Sequence, residues 1–220
     1  MRNGTKRPIV LLDCDGVLAD FIGGVLEIVE HTLGLAYKHE DVDRFDFCAA
    51  LSLAQHEARA VKSSISTRGF CSSLVPYDGA KRGVAALEEI ADVYIVTSPW
   101  DSCETWEHER KAWLYRHFKI PSSRVIHTSA KHLVCGDVFV DDKTSAVAAW
   151  REAWRFATAV RWNTPHNARD EWNGRICTSW DSLNALVAGI AEEVREPDAV
   201  PVAIDDATAE TARIAVEGHR

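Results

Sequence analysis

The stretch "LLDCDGVLADF", residues 11–21, sets Asp13 and Asp15 one residue apart at the end of an apolar run and follows them with Gly16. On an extended chain, positions i and i+2 face the same side, so the two carboxylates point together and Cys14 points away. Such a pair can divide a hydrolysis between them. One carboxylate attacks phosphorus and forms an acyl phosphate. The other protonates the leaving oxygen and later takes a proton from water. A glycine beside them allows a sharp exit from the strand and a close backbone approach.

Three more apolar runs finish in polar tips. "DVYIVTSP" delivers Thr97 and Ser98, "RVIHTSA" runs on to Lys131, and "DVFVDD" ends in Asp141 and Asp142. Gathered at one edge, these carboxylates would resist ionising together. A divalent cation removes that conflict, and all-oxygen donors of this hardness suit Mg²⁺. The lysine and the two hydroxyls suit a phosphate dianion. Singly, each piece has an ordinary explanation: a solvated loop for the D-x-D, a strand-ending turn at Thr97-Ser98-Pro99, a surface lysine, a helix cap at Asp141 or Asp142. Their order on successive strand tips argues for one site.

The elements that would carry these tips read as α/β. Residues 8–13 and 92–99 are continuously apolar, as buried parallel strands are, and 124–130, 137–142 and 155–163 extend the series. Helical patterns lie between them. Residues 79–91 place Val84, Leu87 and Ile90 on one stripe. Residues 102–118 start from Asp101 or Ser102 as cap and carry Trp106, Trp113 and Leu114, while 144–154 starts from Thr144 or Ser145. This alternation implies a Rossmann-like parallel sheet, and ligands of such sheets sit beyond the carboxyl ends of the strands. Residues 17–76 interrupt the alternation with two or more helices and no strand, an inserted helical cap above the first strand. The organisation expected is a core of residues 1–16 and 77–190, a cap of 17–76, and an extension, 191–220, of acidic and small residues.

Bulk composition narrows the partners. The 220 residues suffice for one sizeable core plus a small subdomain. A net charge of -8 without a basic block argues against a nucleic-acid polymer or an anionic membrane. No apolar run approaches the roughly 18 residues of a membrane span, and the N-terminal run is too short for a signal peptide, so the expected setting is cytoplasmic. The six cysteines are scattered with no C-x-x-C, which argues against a zinc site and, in that setting, against disulfides. His127 and His132 carry no metal-site motif.

In order, "DCDGVLADF", "VTSP", the lysine of "SAKHLVCGD" and "VDDK" resemble the four motifs of the haloacid dehalogenase (HAD) superfamily of phosphotransferases. More narrowly, "RGFCSSLVPYDGA", "IVTSPW", "KAWLYRHF" and "RVIHTSAKHLVCGDVFVDDK" are similar to the 5'(3')-deoxyribonucleotidases, over residues 8–182. The resemblance implies Asp13 as nucleophile, Asp15 as general acid/base, and Thr97, Ser98 and Lys131 as phosphate binders. It implies Mg²⁺ held by Asp13, the carbonyl of Asp15 and Asp142, with Asp137 and Asp141 in support. It places the first strand between the second and the fourth and the substrate pocket in the cap. Phe21 matches a base-stacking phenylalanine there, Phe45 and Phe47 stand for the aromatic pair of the family's cap loop, and Trp100 joins them. Cys71 and Ser72 occupy positions where relatives carry further aromatics.

The function these readings lead to is Mg²⁺-dependent hydrolysis of (deoxy)ribonucleoside monophosphates through a phosphoaspartate. The alternatives are a HAD phosphatase for another small phosphate ester, a receiver-like phosphoacceptor module, and a nucleotide binder without turnover. The partner expected is a small nucleoside monophosphate, with pyrimidine deoxyribonucleotides preferred. No nucleic-acid polymer and no membrane are expected as partners, and a homodimer is left open.

Overall fold

The computed structural model describes residues 7–195. Six parallel strands form its sheet: β1 (Ile9–Leu12), β2 (Asp92–Thr97), β3 (Val125–His127), β4 (Val138–Asp141), β5 (Thr158–Trp162) and β6 (Arg175–Cys177), in the order β3-β2-β1-β4-β5-β6. The central position of β1 between β2 and β4 agrees with the resemblance. Leu12 is in register with Ile95 on one side and Val140 on the other, so the tips of three strands converge just beyond them.

The sheet is covered on both faces, which is why its strands read as unbroken apolar runs. Val10, Leu12, Val93, Ile95, Val138 and Val140 enter one core cluster, with residues of α5 (Ala80–Ile90), α6 (Trp106–Phe118) and α8 (Trp180–Arg195). Leu11, Val96, Phe139 and Ala159 enter the other, with Val147 and Trp150 of α7 (Thr144–Ala153). Trp150 stacks on Phe139 at 5.2 Å. Helices α5 and α8 pack closely because residue 83 is glycine: a Cβ there would lie 2.3 Å from the Trp180 ring.

Between β1 and α5 the chain forms four α-helices, a single 3-10 turn (His39–Asp41) and no strand: α1 (Phe21–Leu33), α2 (Phe47–Ala50), α3 (Gln55–Ile65) and α4 (Phe70–Ser73). Its entry and exit run side by side, with Asp20 N donating to Val75 O and Tyr77 N donating to Leu18 O, each at 2.9 Å. Asp20 also caps α1 by accepting from Gly23 N.

Two local readings need correction. Helix α6 starts at Trp106 with Thr105 at its N-cap, not Asp101 or Ser102, both of which are exposed; a turn closed by Cys103 N on Trp100 O intervenes. Lys143, not Thr144 or Ser145, occupies the N-cap of α7, and the Asp141 carboxylate takes its amide. The edge strand β6 was not anticipated, since three residues, two of them exposed, give no hydrophobic run to read. The extension at 191–220 lies outside the described residues, apart from the last turn of α8.

Candidate active site

The ladder of β1 continues one residue past the strand, with Asp13 N donating to Val140 O at 2.9 Å, and this carries the Asp13 side chain to the tip of β4. Asp13, Asp141 and Asp142 are all buried, and an oxygen of each lies within 4.8 Å of the others. Lys131, also buried, places its Nζ 2.8 Å from Asp13 Oδ1 and 2.7 Å from Asp141 Oδ2. Cys14 N donates to the same Asp13 oxygen at 2.7 Å, so Oδ2 is the freer one. Asp142 sits 2.8 Å from His166 Nε2, and its carbonyl accepts from the Asn167 side chain at 2.6 Å.

One ammonium does not neutralise three buried carboxylates. Burial pushes the Asp13 carboxyl up to about 7, against the pull of Lys131 and with help from Asp141. Burial raises Asp141 and Asp142 as well. Burial also disfavours the Lys131 ammonium, yet Asp13 and Asp141 outweigh it and hold its proton well above the ordinary lysine range. Unneutralised negative charge in a closed all-oxygen cluster is what a hard cation relieves.

The backbone is shaped to the cluster. Gly16 has φ +78°, and a Cβ there would fall 1.7 Å from Asp142 Oδ2. Asp141 has little left to offer a cation, since Lys131 holds one oxygen and Lys143 N the other, at 2.7 Å each. Asp13 and Asp142 therefore fit as the ligating carboxylates, with the Asp15 carbonyl beside Gly16. Asp137 corrects the expectation of a supporting role: it lies at the opposite end of β4, where its carboxylate accepts from Ile9 N.

The expected phosphate binders line the same cavity, of about 490 Å³, together with Asp13, Asp15, Gly16 and Asp142. Thr97 is fully buried and its hydroxyl has no partner among the described residues. A buried hydroxyl left unpaired costs about 1–3 kcal/mol, and an arriving phosphate oxygen would satisfy it. Ser98 and Ser129 line the same cavity.

The cavity's other wall is aromatic. Phe21, on the first turn of α1, meets Phe47 at 6.2 Å, Trp100 at 6.0 Å and Trp106 at 6.5 Å. Phe45 is more than half exposed and closes the mouth, edge-on to His166 and under Lys143 Nζ at 4.4 Å. Phe21, Phe45, Phe47 and Trp100 thus all reach the cavity, while Cys71 is buried and Ser72 turns its amide to Glu109. None of the lining residues carries a side-chain amide.

Four residues here escaped the sequence reading: Trp106, Arg110, Lys143 and His166. Arg110 had a signal. It lies on the same face of α6 as Trp106 and Trp113, at i+4 and i−3, a charge on an apolar stripe. Its guanidinium holds the Asp15 carboxylate at 2.5 and 2.8 Å. Neither His127 nor His132 belongs to the acidic cluster.

Comparison with known proteins sets this geometry beside one family. The family model described as "5' nucleotidase, deoxy (Pyrimidine), cytosolic type C protein" matches residues 7–192. A Bordetella bronchiseptica protein, provisionally named a 5'(3')-deoxyribonucleotidase, is 32% identical over 192 residues, 82% of this chain and 96% of that one. The human cytosolic-type 5'(3')-deoxyribonucleotidase is 30% identical over 145 residues, 61% of this chain and 70% of that enzyme. A HAD family hydrolase from Deinococcus radiodurans R1, solved with bound phosphate and sodium, shares the fold with a TM-score of 0.53 at 17% identity, over 86% of this chain and 98% of that one. No helix among the described residues is long and apolar enough to cross a membrane.

Proposed function

Since the chain belongs to the family of cytosolic type C deoxy (pyrimidine) 5' nucleotidases and is a hydrolase of the HAD superfamily, we propose that it hydrolyses nucleoside monophosphates, with Mg²⁺, through a phosphoaspartate on Asp13. The observation that carries the reading is the cluster of Asp13, Lys131 and Asp142 at the foot of a cavity whose opposite wall is aromatic.

The chain's own groups supply the steps. Lys131, held by Asp13 and Asp141, sets a positive charge where an anionic phosphate must approach an anionic nucleophile. The Thr97 and Ser98 hydroxyls orient the phosphate oxygens. Asp13 Oδ2 attacks phosphorus, the bond from phosphorus to the ester oxygen breaks, and Asp15 gives its proton to that oxygen. Water then attacks the acyl phosphate and passes a proton to Asp15, and the departing Asp13 carboxylate leaves inorganic phosphate. Asp13, Asp142 and the Asp15 carbonyl would hold Mg²⁺, whose charge, when bound, offsets that of the phosphate and the carboxylates.

Phe21, Phe47, Trp100 and Trp106 offer the nucleoside a stacking wall. A ribose 2'-hydroxyl buried against such a wall without a partner costs about 1–3 kcal/mol, which favours deoxyribonucleotides. Residues 17–76 act as the cap that limits the substrate to a mononucleotide. A cytoplasmic setting goes with this reading and is supported by six free cysteines. A second reading, the same chemistry on another small aromatic phosphate ester, is favoured by the absence of side-chain amides among the lining residues.

The test is phosphate release from dTMP, dUMP, UMP and a simple alkyl phosphate, with Mg²⁺ and with excess chelator. The expected order is deoxyribonucleotides first, ribonucleotide lower, and nothing in chelator. Equal rates on the alkyl phosphate would remove the nucleotide reading, and full activity in chelator would remove the metal.

A further inference from the structure

We propose that Arg110 is a positioning residue for the acid/base step: it fixes the direction in which Asp15 presents its carboxyl group to the leaving oxygen. The inference rests on the phosphatase reading above and names a device within that same site.

Asp15 stands on the loop just past β1, ahead of Gly16, and its side chain is about one quarter exposed to the cavity. Other polar groups line the same cavity, Thr97, Ser98 and Lys131 among them, but none of them donates to that side chain. Phe21 and Trp106 line the cavity with it, and the Trp106 indole N–H has no hydrogen-bond partner among the described residues. Among the described residues, Arg110 alone donates to its carboxylate, with Nη2 2.5 Å from Oδ1 and 2.8 Å from Oδ2. A carboxylate without that contact has several staggered rotamers open to it.

Arg110 can serve as a fixed point because it has nowhere else to go. Its side chain is fully buried, between the Trp106 ring at 5.2 Å and the Trp113 ring at 5.5 Å. Its other terminal nitrogen lies 3.2 Å from Cys14 Sγ, within the D-x-D itself. The helix that carries it is also tied to the inserted segment. Glu109, the preceding residue, accepts from Gly69 N at 3.0 Å and from Ser72 N at 3.2 Å, at the start of α4. Asp15, the cap and α6 are thus registered on one another by two neighbouring side chains.

A purely structural role is the competing explanation, because a buried arginine needs a counter-charge wherever it sits. The two roles separate on the leaving group. An alkoxide leaving from a nucleotide needs the proton of Asp15, whereas a nitrophenolate departs without one. The ratio kcat/KM reports only the steps up to that departure. It is also compared between two substrates on the same preparation, so a partly unfolded variant lowers both values alike.

The experiment measures kcat/KM for dTMP and for 4-nitrophenyl phosphate in the Mg²⁺-loaded wild type, Arg110→Met, Arg110→Lys, Asp15→Asn and the Arg110→Met/Asp15→Asn double variant. Misplacing a catalytic group typically costs up to 10²-fold, so Arg110→Met is expected to lose about 30-fold or more on dTMP and less than about threefold on the aryl ester. Arg110→Lys is expected to recover part of the dTMP loss. The double variant is expected to be no worse on dTMP than Asp15→Asn, since both changes remove one function. Equal losses on the two substrates, or additive losses in the double variant, would overturn the positioning role and leave Arg110 as a structural ion pair. A wild type inactive on both substrates would overturn the phosphatase reading and this inference with it.

Discussion

Gly16 and Asp142 occupy one space: a Cβ on residue 16 would lie 1.7 Å from Asp142 Oδ2. The φ of +78° at Gly16 adds a second reason for glycine. Gly16→Ala is therefore expected to push Asp142 off the cation-ligating side of the cluster. Activity should fall at least about 100-fold, while positive φ with a Cβ costs only about 1–2 kcal/mol of stability. Kinetics with a melting curve checks both. An alanine variant with wild-type turnover would show that Asp142 is free to act elsewhere.

Lys131 is expected to matter for the fold as well as for the reaction. It is buried with two carboxylates at 2.8 and 2.7 Å, and removing one member of a buried ion pair costs about 3–5 kcal/mol. Lys131→Met should lower both the melting temperature and kcat, and Mg²⁺ should restore part of the melting temperature but not kcat. A variant with normal kcat would place the phosphate elsewhere.

The carboxylates set a pH dependence whose sign is fixed. Burial lifts Asp13 from an ordinary 3.8 to about 7. Its contribution to metal-free stability is thus fully present below about pH 4 and is lost as pH rises through about 7, because the native state holds the extra proton. Mg²⁺ needs the ionised cluster. The rise in melting temperature on adding Mg²⁺ should be small at pH 5.5 and larger at pH 8. A rise that is equal at both, or greater at pH 5.5, would contradict protonation of the cluster.

Phe21 gathers the aromatic wall, with Phe47, Phe70, Trp100 and Trp106 all within 6.5 Å. Phe21→Ala should raise KM for dTMP roughly tenfold, in line with about 1–1.5 kcal/mol of lost aromatic contact, and leave KM for an alkyl phosphate unchanged. Equal changes on both substrates would return Phe21 to a packing role.

How much of this could be read from the chain follows from where each signal lies. Asp13, Asp15, Thr97, Ser98, Lys131 and Asp142 each sit at or just past the end of an apolar run, and a parallel sheet brings such ends together whatever the helices do. The partners that come from elsewhere are harder to read. Arg110 lies on the stripe of Trp106 and Trp113, but Glu107, Glu109 and Lys111 around it make that signal faint, and the packing of both rings shows which way it faces. His166 lies in a loop between β5 and β6, and β6 itself was too short to mark that loop. The start of α6 is hard to read because Thr105 donates its hydroxyl to Glu109 and its oxygen accepts from no backbone amide, so the usual capping pattern is absent.

Asp13→Asn puts the most direct question to the site. The measurement is phosphate release from dTMP with Mg²⁺, on a variant whose fold is verified by its melting temperature. An amide is nearly isosteric with the carboxylate but does not attack phosphorus, so less than roughly one per cent of the wild-type rate is expected, with a melting temperature at or above wild type because a buried charge conflict is relieved. A folded variant that keeps more of the rate than that would show that Asp13 is not the nucleophile.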